Sequence, residues 1–314
     1  MELNRRAAKL VDRLVEQSDG FRIHATQLPA GTMIVDCGIN SPGGLEAGLQ
    51  LARICLSGLA QVSLVSSNIA GWNGPCVQVH TDHPQMACMA SQYAGWQITG
   101  DNYFAMGSGP MRASAGKESL FKDINYHETT NVAVGVLESR ELPPEEVCAQ
   151  ISKECQLETS GLKLLVAPTG SFAGAVQVVA RSVETALHKL HELDFDLSKI
   201  RSGWGTAPLP PVGTNDLVAL GRTNDAVLYG GDVVLWIESE DDELASIGPR
   251  VPSDSSNDYG RPFLEIFEQY DRDFYKIDPG LFSPAQVTLI NIKSGRIFQF
   301  GNIAANLLRR SFGS

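Results

Sequence analysis

The chain is short of charge. Of its 314 residues 19% are charged, against about 25% in an average soluble protein. Basic residues are the scarcer sign, 25 Lys plus Arg against 36 Asp plus Glu, for a net charge of −11. With no basic run in the sequence, the phosphate-neutralising surface that a nucleic-acid partner needs is missing. Long apolar runs are missing too. No stretch approaches the ~20 apolar residues of a membrane-spanning helix. Residues 1–17 mix both charges along an amphipathic helical pattern, without the apolar core of a secretion signal. These absences predict a soluble, cytoplasmic protein with no membrane partner. The six cysteines form no C-x-x-C pair and sit mostly in apolar segments, which predicts reduced thiols acting as small hydrophobes rather than a disulfide framework. Neither G-x-x-x-x-G-K-[ST] nor G-x-G-x-x-G occurs, so nucleotide binding is unsupported. G-x-S-x-G is absent as well, which argues against a Ser-His-Asp hydrolase built on Ser108.

What is present is a substantial apolar content, 43% hydrophobic, and a steady alternation of helix and strand signals. Helices are predicted over 2–17, 45–57, after Pro84, from Pro143 to near Cys155, over 173–193, 261–270 and 303–311. Strands are predicted over 33–39, 61–67, 75–80, 131–138, 162–167, 216–221, 226–237, 286–292 and 296–300. Adjacent strand pairs among βα units imply an α/β protein with mixed sheets. The length suits two domains, 1–160 and 161–314, divided at the polar residues 158–161.

Several constellations bear on chemistry. His80-x-x-His83 and His188-x-x-His191 are half-sites for zinc, but no third ligand accompanies them, so no metal is predicted. The turns Ser41-Pro42-Gly43-Gly44 and Gly107-Ser108-Gly109-Pro110 are flexible enough to approach an anion, with Arg112 and Lys117 just beyond the second. Residues 202–214 read as a long Gly/Pro-rich loop of the kind that often serves function. Residues 222–225 read as a turn between two strands, either a capped hairpin or a polar edge facing a cleft. In the helix over 173–193, Val176, Val179, Val183, Leu187 and Leu190 form one stripe. Arg181 and Glu184 fall on another face, about 60° apart at 100° per residue. Spacing alone allows a surface ion pair or a cation beside a base.

Six blocks take the reading further: DCGINSPGG (36–44), YFAMGSGPMRA (103–113), VVARSVETALHKL (178–190), GWGTAPLPPV (203–212), GRTNDAVLYGG (221–231) and KIDPGLFSPAQVT (276–288). In these, and in their order, the chain resembles the methenyltetrahydromethanopterin cyclohydrolases over most of its length. The resemblance implies two α/β domains with an interdomain pocket, homotrimeric assembly, and reversible hydrolysis of a methenyl-pterin to its 5-formyl derivative without metal or organic cofactor. It places the chain in one-carbon metabolism, which the family serves in methanogenesis and in formaldehyde oxidation. It also implies that Arg181 and Glu184, an Arg and a Glu three residues apart on one helix, are the catalytic pair. Chemistry and block membership make Thr206, Asn224, Asp225 and Tyr229 candidates to read the pterin, and Arg112, Lys117 and Arg222 candidates for the anionic end of the coenzyme. Two rivals stay open on sequence alone: formyl transfer on a related pterin, and a binding protein that keeps the scaffold without turnover.

Overall fold

The computed structural model of the chain describes residues 1–69 and 72–313. Two compact units form, Met1–Ala60 with Met86–Gln177, and Gln61–Gln85 with Val178–Ser314. The single boundary expected at 160/161 is replaced by three crossings, at 60/61, 85/86 and 177/178. The reason lies in strand pairing. Residues 162–167 form a central strand of the first sheet, and the paired strands Gln61–Ser66 and Pro75–Thr81 belong to the second.

In the first unit α1 (Leu3–Glu16) and α2 (Ser18–Phe21) precede β1 (His24–Gln27), β2 (Met33–Asp36) and α3 (Leu45–Cys55). The second unit takes the hairpin β3 (Gln61–Ser66) and β4 (Pro75–Thr81). A π-helical segment, Gln85–Gln92, leads back to the first unit. That unit continues with β5 (Trp96–Thr99), β6 (Phe104–Ser108), α4 (Met111–Ala115), α5 (Leu120–Asp123), β7 (Ala133–Glu138), α6 (Glu145–Glu154), β8 (Leu162–Ala167) and α7 (Phe172–Val179). The second unit resumes with α8 (Ser182–Glu192), β9 (Ile200–Pro208), α9 (Asp216–Gly230), β10 (Asp232–Ile237), α10 (Asp241–Ile247), α11 (Phe263–Gln269), β11 (Gln286–Asn291), β12 (Ile297–Gly301) and α12 (Ala305–Phe312).

The first sheet runs β1-β2-β8-β7-β6-β5, with β2, β8 and β7 parallel and the outer strands antiparallel. Apolar residues occupy both faces of its parallel strands, as burial on both sides demands. Val35, Val134, Val136 and Leu165 meet Ala7, Val11, Leu51 and Ile54 of α1 and α3. On the reverse face Ile34, Leu137, Leu164 and Val166 meet Met111 of α4 and Val147 and Ile151 of α6. The N-terminal turn of α1 lacks a capping side chain at Glu2. Glu128 supplies the acceptor instead, taking the N–H of Leu3 at 3.0 Å and of Asn4 at 3.1 Å.

The second sheet runs β12-β11-β10-β9-β4-β3, with one parallel pair, β10 and β11. Two sequence expectations fail here. The loop expected over 202–214 is mostly β9, a central strand paired on both sides. Its glycines are on the face packed by α8. A Cβ on Gly203 would lie 2.8 Å from Val183, and one on Gly205 2.7 Å from the Ser182 hydroxyl. Glycine there marks a close helix approach, not a loop. The strands expected over 216–221 and 226–230 are instead the helix α9. Asn215 starts it, its side chain accepting the Val218 N–H at 3.0 Å. Both six-stranded sheets are mixed and flanked by helices, the α/β class expected. All six cysteines are free and buried. Among the described residues no helix is long and apolar enough to cross a membrane.

Candidate active site

The continuous helix expected over 173–193 is two helices, broken at Ala180 and Arg181. Arg181 occupies the N-cap position of α8 with φ −96° and ψ 8°, outside the helical range. No glycine or proline signals the break. Val176, Val179, Ala180 and Val183 are all fully buried, so an apolar pattern reads straight through it.

The break gives Arg181 and Glu184 distinct positions. Arg181 caps the helix and Glu184 is its third residue. The Arg181 carbonyl accepts the Thr185 N–H at 2.9 Å and its hydroxyl at 3.1 Å, which fixes the turn. A carboxylate in the first turn also meets the positive end of the helix dipole. Between the side chains the Arg181 Nη1 to Glu184 Oε2 distance is 3.8 Å, and their side chains are 10% and 5% exposed. That is an ion-pair distance, longer than a direct hydrogen bond. The surface-pair alternative requires exposed side chains, and these are buried.

The helix is held at both ends. Its first turn seats on β9 through Gly203 and Gly205. Near its far end the buried Lys189 donates to the Gly280 carbonyl at 2.6 Å, and burial lowers the pKa of that ammonium. Burial likewise lowers the pKa of His188, which lies 3.7 Å from Glu192. Lys189 and Gly280 come from two of the six blocks, the one sequence signal that could have linked them.

The other predicted residues have settings of their own. Arg112 is fully buried and engaged at every nitrogen: Nε and Nη2 bind Glu118, and Nη1 donates to the carbonyls of Met89 and Ser91. It therefore clamps the last turn of the π-helical segment. Lys117 is exposed, paired with Glu154 at 2.5 Å and 5.1 Å from the Trp96 ring. Arg222, Asn224, Asp225 and Tyr229 lie on α9, not on a turn. Arg222 donates to the carbonyls of Ser311, Pro211 and Val212. Asn224 donates to Leu220 one turn back at 2.9 Å. Tyr229 is fully buried, with its hydroxyl on the Arg261 carbonyl.

Asp225 is fully buried, and its Oδ1 accepts the Phe263 N–H at 2.7 Å. This caps α11, whose own N-cap residue, Pro262, brings no side-chain acceptor. Oδ2 has no hydrogen bond. The nearby Ser311 hydroxyl favours the charged form, but burial dominates and pushes the carboxyl up to about 7. Thr206 is half-buried on β9. By strand alternation it points to the sheet face opposite Gly205, and so away from α8.

A separate pocket of about 470 Å³ in the first unit is lined by Arg22, His24, Asp36, Asn40 and Ser41 among others, and holds none of the predicted site residues. Its Asp36 carboxylate is saturated by the N–H groups of residues 38–41. Among the described residues no three His, Cys, Asp or Glu side chains gather as a metal cluster.

This two-sheet α/β chain is matched by a family model described as Cyclohydrolase (MCH), over residues 2–312. The chain belongs to that cyclohydrolase family. Its relatives are more specific. It is 46% identical over 317 residues to the methenyltetrahydromethanopterin cyclohydrolase of Rhodopirellula baltica, covering 99% of this chain and 95% of the relative. The enzyme of that name from Methylobacillus flagellatus is 43% identical, with 99% and 95% covered. That from Methanococcoides burtonii is 40% identical, with 100% and 98% covered.

Proposed function

We propose that this chain reversibly hydrolyses 5,10-methenyltetrahydromethanopterin to the 5-formyl derivative, with Glu184 as general base and Arg181 as its partner. The observation that carries the reading is the buried Arg181–Glu184 pair at the start of α8, in a chain whose relatives bear this enzyme's name.

The substrate's methenyl carbon bridges two nitrogens in a cationic amidine and is electrophilic as it stands. Water is the only co-reactant, so the reaction as written calls for neither a Lewis acid nor an organic cofactor. Glu184 accepts a proton from water as its oxygen bonds to the methenyl carbon, and the C=N π pair moves onto nitrogen. The carboxylate also offsets the substrate's positive charge. The tetrahedral adduct then opens at the nitrogen other than N5: that nitrogen takes the proton back from Glu184 as its C–N bond breaks, while the adduct's hydroxyl oxygen forms the C=O bond and its proton passes to solvent, the one proton the overall reaction releases. The formyl group remains on N5. Arg181 holds the carboxylate's orientation and, with it, the attacking water. The pair acts from a rigid, buried support, so little reorganisation is needed at the moment of reaction. We place the enzyme in the cytoplasm, in one-carbon metabolism, as a homo-oligomer that the resemblance makes a trimer.

The test is the absorbance of the purified methenyl substrate on addition of protein. Wild type should bleach it with no added metal or acceptor. Glu184→Gln should slow this by about 10²–10⁴-fold. Near-wild-type rates in a folded Glu184→Gln protein would overturn the assignment of the base. Binding without bleaching by the wild type would overturn the enzyme reading.

A further inference from the structure

Hydrolysis of a cationic amidine by water releases one proton overall, and the base proposed to handle it, Glu184, has a side chain only 5% exposed. Each turnover must clear that proton before the next begins. The way out calls for a group that both takes and gives a proton near neutral pH, which among side chains is histidine above all.

α8 carries one on the same face. His188 lies four residues after Glu184 within the helix, about 40° further round at 100° per residue, with Cβ atoms about 5–6 Å apart. Helical side chains lean back toward the N-terminus, which inclines the His188 ring toward Glu184. Four residues further on is Glu192, the next step of the same row, and its Oε1 lies 3.7 Å from His188 Nε2. Val183, Leu187 and Leu190 occupy the rest of the helix surface and are fully buried. Exposure rises step by step along the polar row: 5% for the Glu184 side chain, 20% for His188 and 49% for Glu192. The row thus runs from a buried base to water.

The state of the ring suits this position. Burial lowers the pKa of His188 from 6.5, His191 and Lys189 act in the same direction, and Glu192 opposes them. The imidazole is therefore neutral at pH 7 and open to a proton.

We propose that His188 relays the proton released in each turnover from Glu184 to the solvent-facing Glu192. The proposal rests on the cyclohydrolase reading above and deepens it. Once Glu184 has given its first proton to the leaving nitrogen, its carboxylate takes the adduct's hydroxyl proton as the C=O bond forms. Nδ1 of His188 accepts that proton, through a water where the gap requires one, and Nε2 gives up its own beside Glu192. The proton leaves to solvent, and exchange with water restores the tautomer. In this role His188 acts through Glu184, not on the substrate.

Two signals from one reaction in weak buffer test the relay: bleaching of the methenyl substrate, and proton release to a pH indicator. In wild type the two should run together. In His188→Ala, with enzyme in excess, bleaching should keep near its wild-type rate while the indicator lags. In steady state kcat should fall by about tenfold, less than the loss of the base itself, with kcat/KM nearly unchanged. Added imidazole should restore most of the rate. His188→Gln keeps a polar side chain that does not titrate, and should behave as the alanine variant does, even if that variant fails to fold. An unchanged kcat in His188→Gln overturns the relay. So does a loss shared equally by kcat and kcat/KM that imidazole does not relieve, because that is the mark of a structural role. Both results leave wild-type bleaching intact. Failure of the cyclohydrolase reading looks different: the wild type itself does not bleach the substrate, and the relay falls with it.

Discussion

In α8 a guanidinium and a carboxylate stand three residues apart, Arg181 and Glu184; in α9 the same spacing joins Arg222 and Asp225. The first pair faces itself at 3.8 Å. The second is split: Arg222 turns to three backbone carbonyls, and Asp225 caps α11. Among the described residues no ion pair joins them. Identical spacing therefore gives a facing side-chain pair in one helix and two separate backbone contacts in the other. Position along the helix separates them. Arg181 and Glu184 sit at a helix start, where the N-cap residue leaves the helical path and the carboxylate meets the helix dipole. Arg222 and Asp225 sit mid-helix, enclosed by α11, α12 and the segment ahead of α9.

This contrast predicts which property each substitution moves. The largest effect belongs to α8: Arg181→Ala should lower kcat by about 100-fold or more, with the thermal midpoint nearly unchanged. Equal losses of kcat and stability would erase the distinction between the helices. Next is the seat of α8. Gly205→Ala puts a methyl 2.7 Å from the Ser182 hydroxyl, which should cost about 1–3 kcal/mol in denaturant unfolding and slow turnover as well.

In α9, Asp225→Asn should leave the rate alone and change how stability depends on pH. The Asp225 carboxyl is raised from 3.8 to about 7, so the folded protein holds that proton more tightly than the unfolded chain. Its contribution is fully present below about pH 4 and is lost as pH rises towards 7, by roughly 1.4 kcal/mol per unit. The variant should match wild type near pH 4 and gain on it steadily to pH 7. A constant difference across that range would show that Asp225 is ionised when folded. The smallest effect is at the start of α9. Asn215→Ala removes the cap on Val218 and should cost about 1 kcal/mol, read as a shift in melting midpoint with the rate unchanged.

Much of this architecture was legible in the sequence where local signals and tertiary outcome agree. The strands at Met33–Asp36 and Leu162–Ala167, the hairpin at Gln286–Gly301 and the helices at Leu3–Glu16 and Glu145–Glu154 all have plain periodicity or turn signals. Pattern failed where the cause of a residue lies in a distant partner. Gly203 and Gly205 read as loop because the residues that require them, Val183 and Ser182, lie at the far end of the preceding helix and periodicity does not show that contact. α9 read as strands because Gly221 and Gly230 break its helical signal. In the fold, Gly221 lets Leu264 come within 3.0 Å of where its Cβ would be, and Gly230 does the same for Pro208 at 2.6 Å. Arg112 read as an available cation because sequence cannot show that Glu118 and two carbonyls consume it. The spacing of Arg181 and Glu184 was visible. Their burial, which sets them apart from a surface ion pair, was not.

The hairpin β3–β4 has a consequence for how the chain reaches this state. β4 hydrogen-bonds to β9, and Thr81 finds its register partner in Gly203, more than a hundred residues later. A growing chain therefore presents β4 as an unpaired strand edge while the second segment of the first unit, Met86–Gln177, is still being made. Loop closure over that span is slow, and exposed edges invite pairing with other chains. The order of assembly is thus set by topology: the first sheet can close before the second has its central strand. The interval between the two is the period of greatest exposure to aggregation.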